Sequence, residues 1–180
     1  MKFLKTSILI VGLLVLGVVA VSAQTFDSHN ITFDITAFSV IALNDTTVVD
    51  LSVTPAAPGA VITGDTDNTK YLLYPVLTGA TTQEITVTAA TVTGGIPAGT
   101  ALSVVASGLT GNEGSATAAV TLTTGMANTN IITGISSVAT GTGVGDGAQL
   151  TYAFTITDET QVTTAEDNNE ITVTYTITEN

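Results

Sequence analysis

The sequence predicts an all-β protein: a single antiparallel β-sandwich, jelly-roll or Ig-like, of about eight strands. Three observations carry that prediction. Beyond residue 23, threonine fills about one position in five and alternates with Ile, Val and Leu, the period-two pattern of a strand with one packed and one wetted face. Gly, Pro, Asn and Asp cut that pattern into short segments. Outside the first 23 residues no window places apolar side chains at helical spacing.

The elements follow in order. Met1-Lys2-Phe3-Leu4-Lys5 is a positive start, and an apolar run from Ile8 to Val21 is broken only by Gly12 and Gly17. Val21-Ser22-Ala23 then fits the small-x-small cleavage pattern, so residues 1–23 read as a secretory signal peptide and Gln24 as the mature start. The run is shorter than the roughly 20 residues needed to span a bilayer. The expectation is a secreted protein, extracellular or at the cell surface, with no membrane insertion after cleavage.

Residues 24–46 read as an amino-terminal strand able to act as a donor to another copy. Ile31-Thr32-Phe33-Asp34-Ile35 alternates, and Phe38-Ser39-Val40 then switches phase before Ile41-Ala42-Leu43. Thirteen extended residues would run about 43 Å, longer than a typical strand. The phase switch implies a bulge, a bend, or two strands in different sheets. Ile31, Phe33, Ile35, Phe38 and Val40 are the candidate subunit-interface residues, the leading ones on a strand that leaves its own domain to complete a neighbour's sheet.

Residues 47–180 read as the sandwich domain. After the first strand, 31–43, further strands are predicted over 47–54, 71–77, 83–93, 101–107, 116–123, 149–157 and 170–178. The connections contain Pro55 to Gly59, Gly64-Asp65-Thr66-Asp67-Asn68, Gly94 to Gly99, Gly108 to Gly114, Gly141 to Gly147 and Asp158 to Asn169. In the last strand Ile171, Val173, Tyr175 and Ile177 share one face and Thr172, Thr174, Thr176 and Thr178 the other.

Composition excludes several functions. Once residues 1–23 are removed, fifteen carboxylates face the single cation Lys70, a net charge near −14. Such a chain repels DNA, RNA and anionic lipid, which are bound with Lys and Arg. With no cysteine, the sheets must be held by apolar burial alone. No enzyme is expected: the lone His29 lies just behind the cleavage point, and there is no Trp to platform a sugar. No cofactor is expected either, calcium excepted: Asp65, Asp67 and Asn68 place oxygens at near-alternate positions of a predicted turn, as calcium loops do. Lys70 also offers the amine for a crosslink to an Asn or Asp.

The cleaved signal, the alternating segment 31–43 behind it, the Thr/Gly-rich sandwich and the alternating last strand with Tyr175 together resemble subunits of donor-strand-assembled extracellular fibres, pilin-like or biofilm-matrix proteins. That resemblance implies a homopolymer in which an amino-terminal strand enters the open groove of the next subunit. The expected function is therefore a structural subunit of a secreted fibre or surface matrix. The alternative is a monomeric secreted binding module for carbohydrate or another surface.

Overall fold

The structure, a computed structural model, describes residues 30–53, 57, 58, 60–162 and 169–180. The signal segment, its cleavage site and His29 lie outside the described residues. The chain divides into two compact units, Met1–Asp34 and Ile35–Asn180. Of the first, residues 30–34 are described; they are exposed and form no strand.

The second unit is all-β and antiparallel. Its strands are β1 (Phe38–Ser39), β2 (Ala42–Leu43), β3 (Thr66–Leu73), β4 (Pro75–Leu77), β5 (Gln83–Thr93), β6 (Thr100–Ser107), β7 (Ser115–Ala116), β8 (Val120–Leu122), β9 (Thr129–Ile135), β10 (Val138–Ala139), β11 (Ala148–Ile156) and β12 (Glu170–Glu179). They form a five-stranded sheet in the order β2-β3-β11-β6-β8, a four-stranded sheet β12-β5-β9-β7 and a three-stranded sheet β1-β4-β10. One core joins all three. Leu72, Val104, Leu122 and Leu150 come from the first, Ile85, Val87, Ile131, Ile132 and Ile135 from the second, and Val76 from the third.

These twelve strands in three sheets replace the eight expected, for identifiable reasons. The segment 31–43 is not one strand: only β1 and β2 form, in different sheets, and the phase switch at Val40-Ile41 is the crossing point. Opposite them, β3 and β4 switch sheets at Tyr74, whose buried ring donates its hydroxyl to the Glu113 carbonyl (2.8 Å). Segment 116–123 likewise divides into β7 and β8, which pair with β9 and β6 respectively. The described part of 47–54 carries no strand, although Val49 and Leu51 pack against the core.

Two strands escaped prediction altogether, β9 and β10. Asn128, Asn130 and Gly134 give β9 the look of a turn, yet it is a central strand. Register shifts opposite β5 let the adjacent Ile131 and Ile132 both be fully buried, which strict alternation forbids. The sheet junction at Gly147 does follow turn chemistry: its φ is +77°, and a Cβ there would sit 2.1 Å from the Leu72 carbonyl oxygen.

Candidate functional site: an open strand edge and a free segment

Strand β12 is the edge of the four-stranded sheet. It pairs over its whole length with β5, and among the described residues no strand pairs with its other side. The N–H of Asn180 donates to the Thr82 carbonyl at 2.9 Å, and the register is unshifted from Ile171 to Glu179. Even-numbered residues therefore turn their backbone groups toward β5, and odd-numbered ones turn theirs to the open side. Each of those groups is a hydrogen-bonding position that a further strand would satisfy.

The side chains tell the same story. Ile171, Val173, Tyr175 and Ile177 pack against the core yet stay only half-buried, whereas Ile85 and Val87 on β5 are completely enclosed. Two cavities open beside them. One, about 260 Å³, is lined by residues 37–39, Leu77, Gln83 and residues 177–179. The other, about 220 Å³, is lined by residues 41–43, Leu72 and residues 173–175. Both lie between β12 on one side and the β1–β2 segment on the other, so they are successive stretches of one groove. Its apolar floor includes Leu43, Leu72, Leu77, Val173 and Ile177.

Tyr175 anchors the groove to the opposite sheet. Its hydroxyl and that of Tyr152 on β11 lie 2.8 Å apart, joining β12 to the five-stranded sheet. Burial raises the pKa of both phenols above the ordinary tyrosine value, so the pair stays neutral across the physiological range.

The candidate interface residues divide into two sets. Ile31, Phe33 and Ile35 are 65, 81 and 78% exposed and lie outside every strand. Phe38 and Val40 are half-exposed but belong to the chain's own pairing: Phe38 opposes Leu77, and the Val40 N–H donates to the Pro75 carbonyl at 3.2 Å.

The calcium candidates are placed differently from the sequence expectation. Asp67 and Asn68 belong to strand β3, not to a turn, so as neighbours they point to opposite faces. The Asp65 carboxylate accepts the Thr66 N–H (2.8 Å), and that of Asp67 accepts the Thr69 N–H and hydroxyl (3.0 and 2.9 Å). Among the described residues no three His, Cys, Asp or Glu side chains are grouped to hold a metal.

Lys70 has a partner that sequence reading did not single out. Its ammonium is buried in β3 and donates to the Asp45 carboxylate (2.9 Å) and the Thr47 hydroxyl (2.8 Å). Hydrogen bonds from Thr47 and then Lys70 hold the Asp45 carboxyl well below the usual carboxylate range. This is an ion pair between ionised groups, and a carboxylate so stabilised is a poor electrophile for amide formation. The signal was present in the sequence: a lone lysine inside the apolar run Lys70-Tyr71-Leu72-Leu73-Tyr74 must find a carboxylate.

No described helix is long and apolar enough to cross a membrane. Comparisons with protein-family models, with characterised proteins and with solved structures found no match to this chain.

Proposed function

We propose that this protein is a non-enzymatic structural subunit of a secreted fibre or surface matrix, polymerised by β-strand complementation. The segment carrying Ile31, Phe33 and Ile35 of one copy adds to the free edge of β12 in the next. The observation that carries this reading is the pairing of opposites within one chain: an alternating segment whose Ile31, Phe33 and Ile35 are exposed and in no strand, and a half-buried strand edge beside an apolar groove.

Dimensions support it. The two cavities are centred about four β12 residues apart, roughly 13 Å at strand rise. Ile31 and Ile35 are also four residues apart, so on one extended face each reaches one cavity with Phe33 between them. The strand edge favours β12 over β1 and β2 as the pairing partner, because it is continuous for ten residues while each of those has two. In this reading the five- and four-stranded sheets are the layers of a sandwich, and the incoming segment is the missing fifth strand opposite β2. One donor and one acceptor per subunit make a head-to-tail contact that need not close, which propagates as a fibre. Net negative charge keeps unassembled copies apart until the strand is engaged.

The alternative, a monomeric binding module, is favoured by one feature. On the outer face of the four-stranded sheet the exposed Thr174 and Thr176 stand opposite the partly buried Thr88 and the buried Thr86, so the hydroxyl–methyl surface offered there is the β12 pair with the edge of Thr88. Deleting residues 24–34 discriminates the two. Electron microscopy of the secreted fraction then shows soluble subunits and no filaments, and a peptide of residues 30–37 raises the melting temperature of the truncated protein as a ligand does. Wild-type filaments from the truncated chain, or a full-length protein that stays monomeric at high concentration, would leave the binding module as the reading.

A further inference from the structure

The only Lys or Arg beyond residue 5 is spent inside β3, with about 5% of its side chain exposed. Its position relative to the amino-terminal segment gives it a role. Residues 38–43 are held to the body by two strands of two residues each, facing Leu77 and Val76 and then Leu73 and Leu72, by the Val40 N–H to the Pro75 carbonyl between them, and by Ile41 and Leu43 against the core. An antiparallel contact that thin opens one bond at a time from the Phe38 end when the chain ahead of it is pulled aside. Immediately behind it the bonding becomes dense. The Asn44 N–H donates to the Tyr71 carbonyl (3.0 Å), and the Asn44 side-chain oxygen accepts the Tyr71 N–H (2.7 Å). Asp45 and Thr47 then both receive Lys70, and Asp45 also accepts the Thr47 N–H (2.9 Å).

We propose that Lys70 is the anchor that ends the exchangeable arm of this protein at Leu43: the chain ahead can be drawn away from its own body, and residues 44–47 cannot. The part of this that concerns tension between subunits rests on the strand-exchange reading above; the anchoring itself does not. The hook resists because its bonds must break together and because its failure leaves the ammonium of a lysine only about 5% exposed without its carboxylate, whereas the hydrogen bonds of β1 and β2 open singly against the packing of Ile41 and Leu43. A fibre pulled at its inserted strands would therefore yield through β1 and β2 and stop at the hook. The arrangement also explains why an otherwise acidic chain keeps one lysine, and why that lysine lies on the strand paired with β2.

Amide hydrogen exchange on the full-length secreted protein tests the anchor. Lys70→Met keeps the apolar stem and removes the ammonium; Asp45→Asn keeps the shape and removes the charge. In Lys70→Met the amides of Asn44, Thr47 and Tyr71, which the hook holds, exchange about tenfold faster while those of β5 and β11 keep their wild-type rates, the signature of local opening. Asp45→Asn moves the same amides in the same direction by less. Unchanged exchange at Asn44, Thr47 and Tyr71 in a Lys70→Met protein whose β5 and β11 remain protected overturns the proposal. If Lys70→Met does not fold, Asp45→Asn decides alone, and unchanged exchange there overturns it. For the part that concerns tension, preformed fibres of either variant shed more subunits under shear than wild type; equal shedding removes that part. A wild-type protein that forms no fibre would instead defeat the strand-exchange reading, while the exchange data would still decide the anchor.

Discussion

The pentapeptide Glu-Ile-Thr-Val-Thr occurs twice, at residues 84–88 in β5 and at residues 170–174 in β12. The two copies lie in adjacent antiparallel strands of one sheet, yet they end in different surroundings. In β5, Ile85 and Val87 have no exposed surface; in β12, Ile171 and Val173 pack against the core but are only partly buried. The amino acids are the same, so the difference belongs to position. β5 has β12 on one side and β9 on the other, whereas β12 has a described neighbour on one side only. An antiparallel sheet that ends on β12 shows its open side as a strand whose composition is that of an interior strand and whose burial is that of an edge.

The largest effect separating the two strands is on folding. Ile85→Ala should cost about 2–5 kcal/mol in any state of assembly, the ordinary range for emptying a core site. Its register partner Ile177 lines the open groove, so Ile177→Ala should cost distinctly less in the isolated subunit and more once a strand covers it. Denaturant unfolding of the truncated subunit, set beside filament dissociation, reads both numbers. Equal costs in the subunit would break the comparison.

Tyr175→Phe should have a smaller effect, about 1 kcal/mol, because it removes one hydrogen bond and leaves the Tyr152 hydroxyl to find water. The loss should be smaller in filaments if the inserted strand brings a new acceptor to Tyr152, and unchanged if it does not.

The groove was not legible in the sequence, although much of the fold was. β5 was predicted at its observed bounds, and β6, β11 and β12 within a residue, because each alternates cleanly between turn residues. β9 was missed because its glycine and asparagines mimic a turn while its bulges break the alternation that would have revealed it. The region 64–68 was read as a loop for its Asp and Gly, but most of it opens β3, its carboxylates capping nearby N–H groups. Half-burial of β12 depends on which strands fail to flank it, and no local pattern reports an absent neighbour; the repeated pentapeptide makes that concrete. The phase switch at Val40-Ile41 was the exception, a sequence signal that did translate into a change of sheet.

The smallest expected effect concerns pH and the third edge, the β1–β2 segment behind the groove. The Asp45 carboxyl is held below its ordinary pKa by Thr47 and Lys70. A group depressed in the folded state contributes stability that is fully present above its unfolded value, near 3.9, and is lost as pH falls through the folded value. After correction for the intrinsic pH dependence of exchange, protection at Asn44, Thr47 and Tyr71 should stay flat from about pH 7 down to about pH 4 and decline only below that. A decline beginning near neutrality would mean that another group holds the segment.

The most direct test of strand insertion is residue-resolved amide exchange along β12, comparing the full-length assembled protein with the subunit lacking residues 24–34. The even-numbered amides already bond β5 and should be protected in both. The account predicts that the amides of Val173, Tyr175 and Ile177 slow by at least about tenfold on assembly, together with those of the segment carrying Ile31, Phe33 and Ile35. Odd-numbered β12 amides that exchange equally fast in filament and subunit would contradict it.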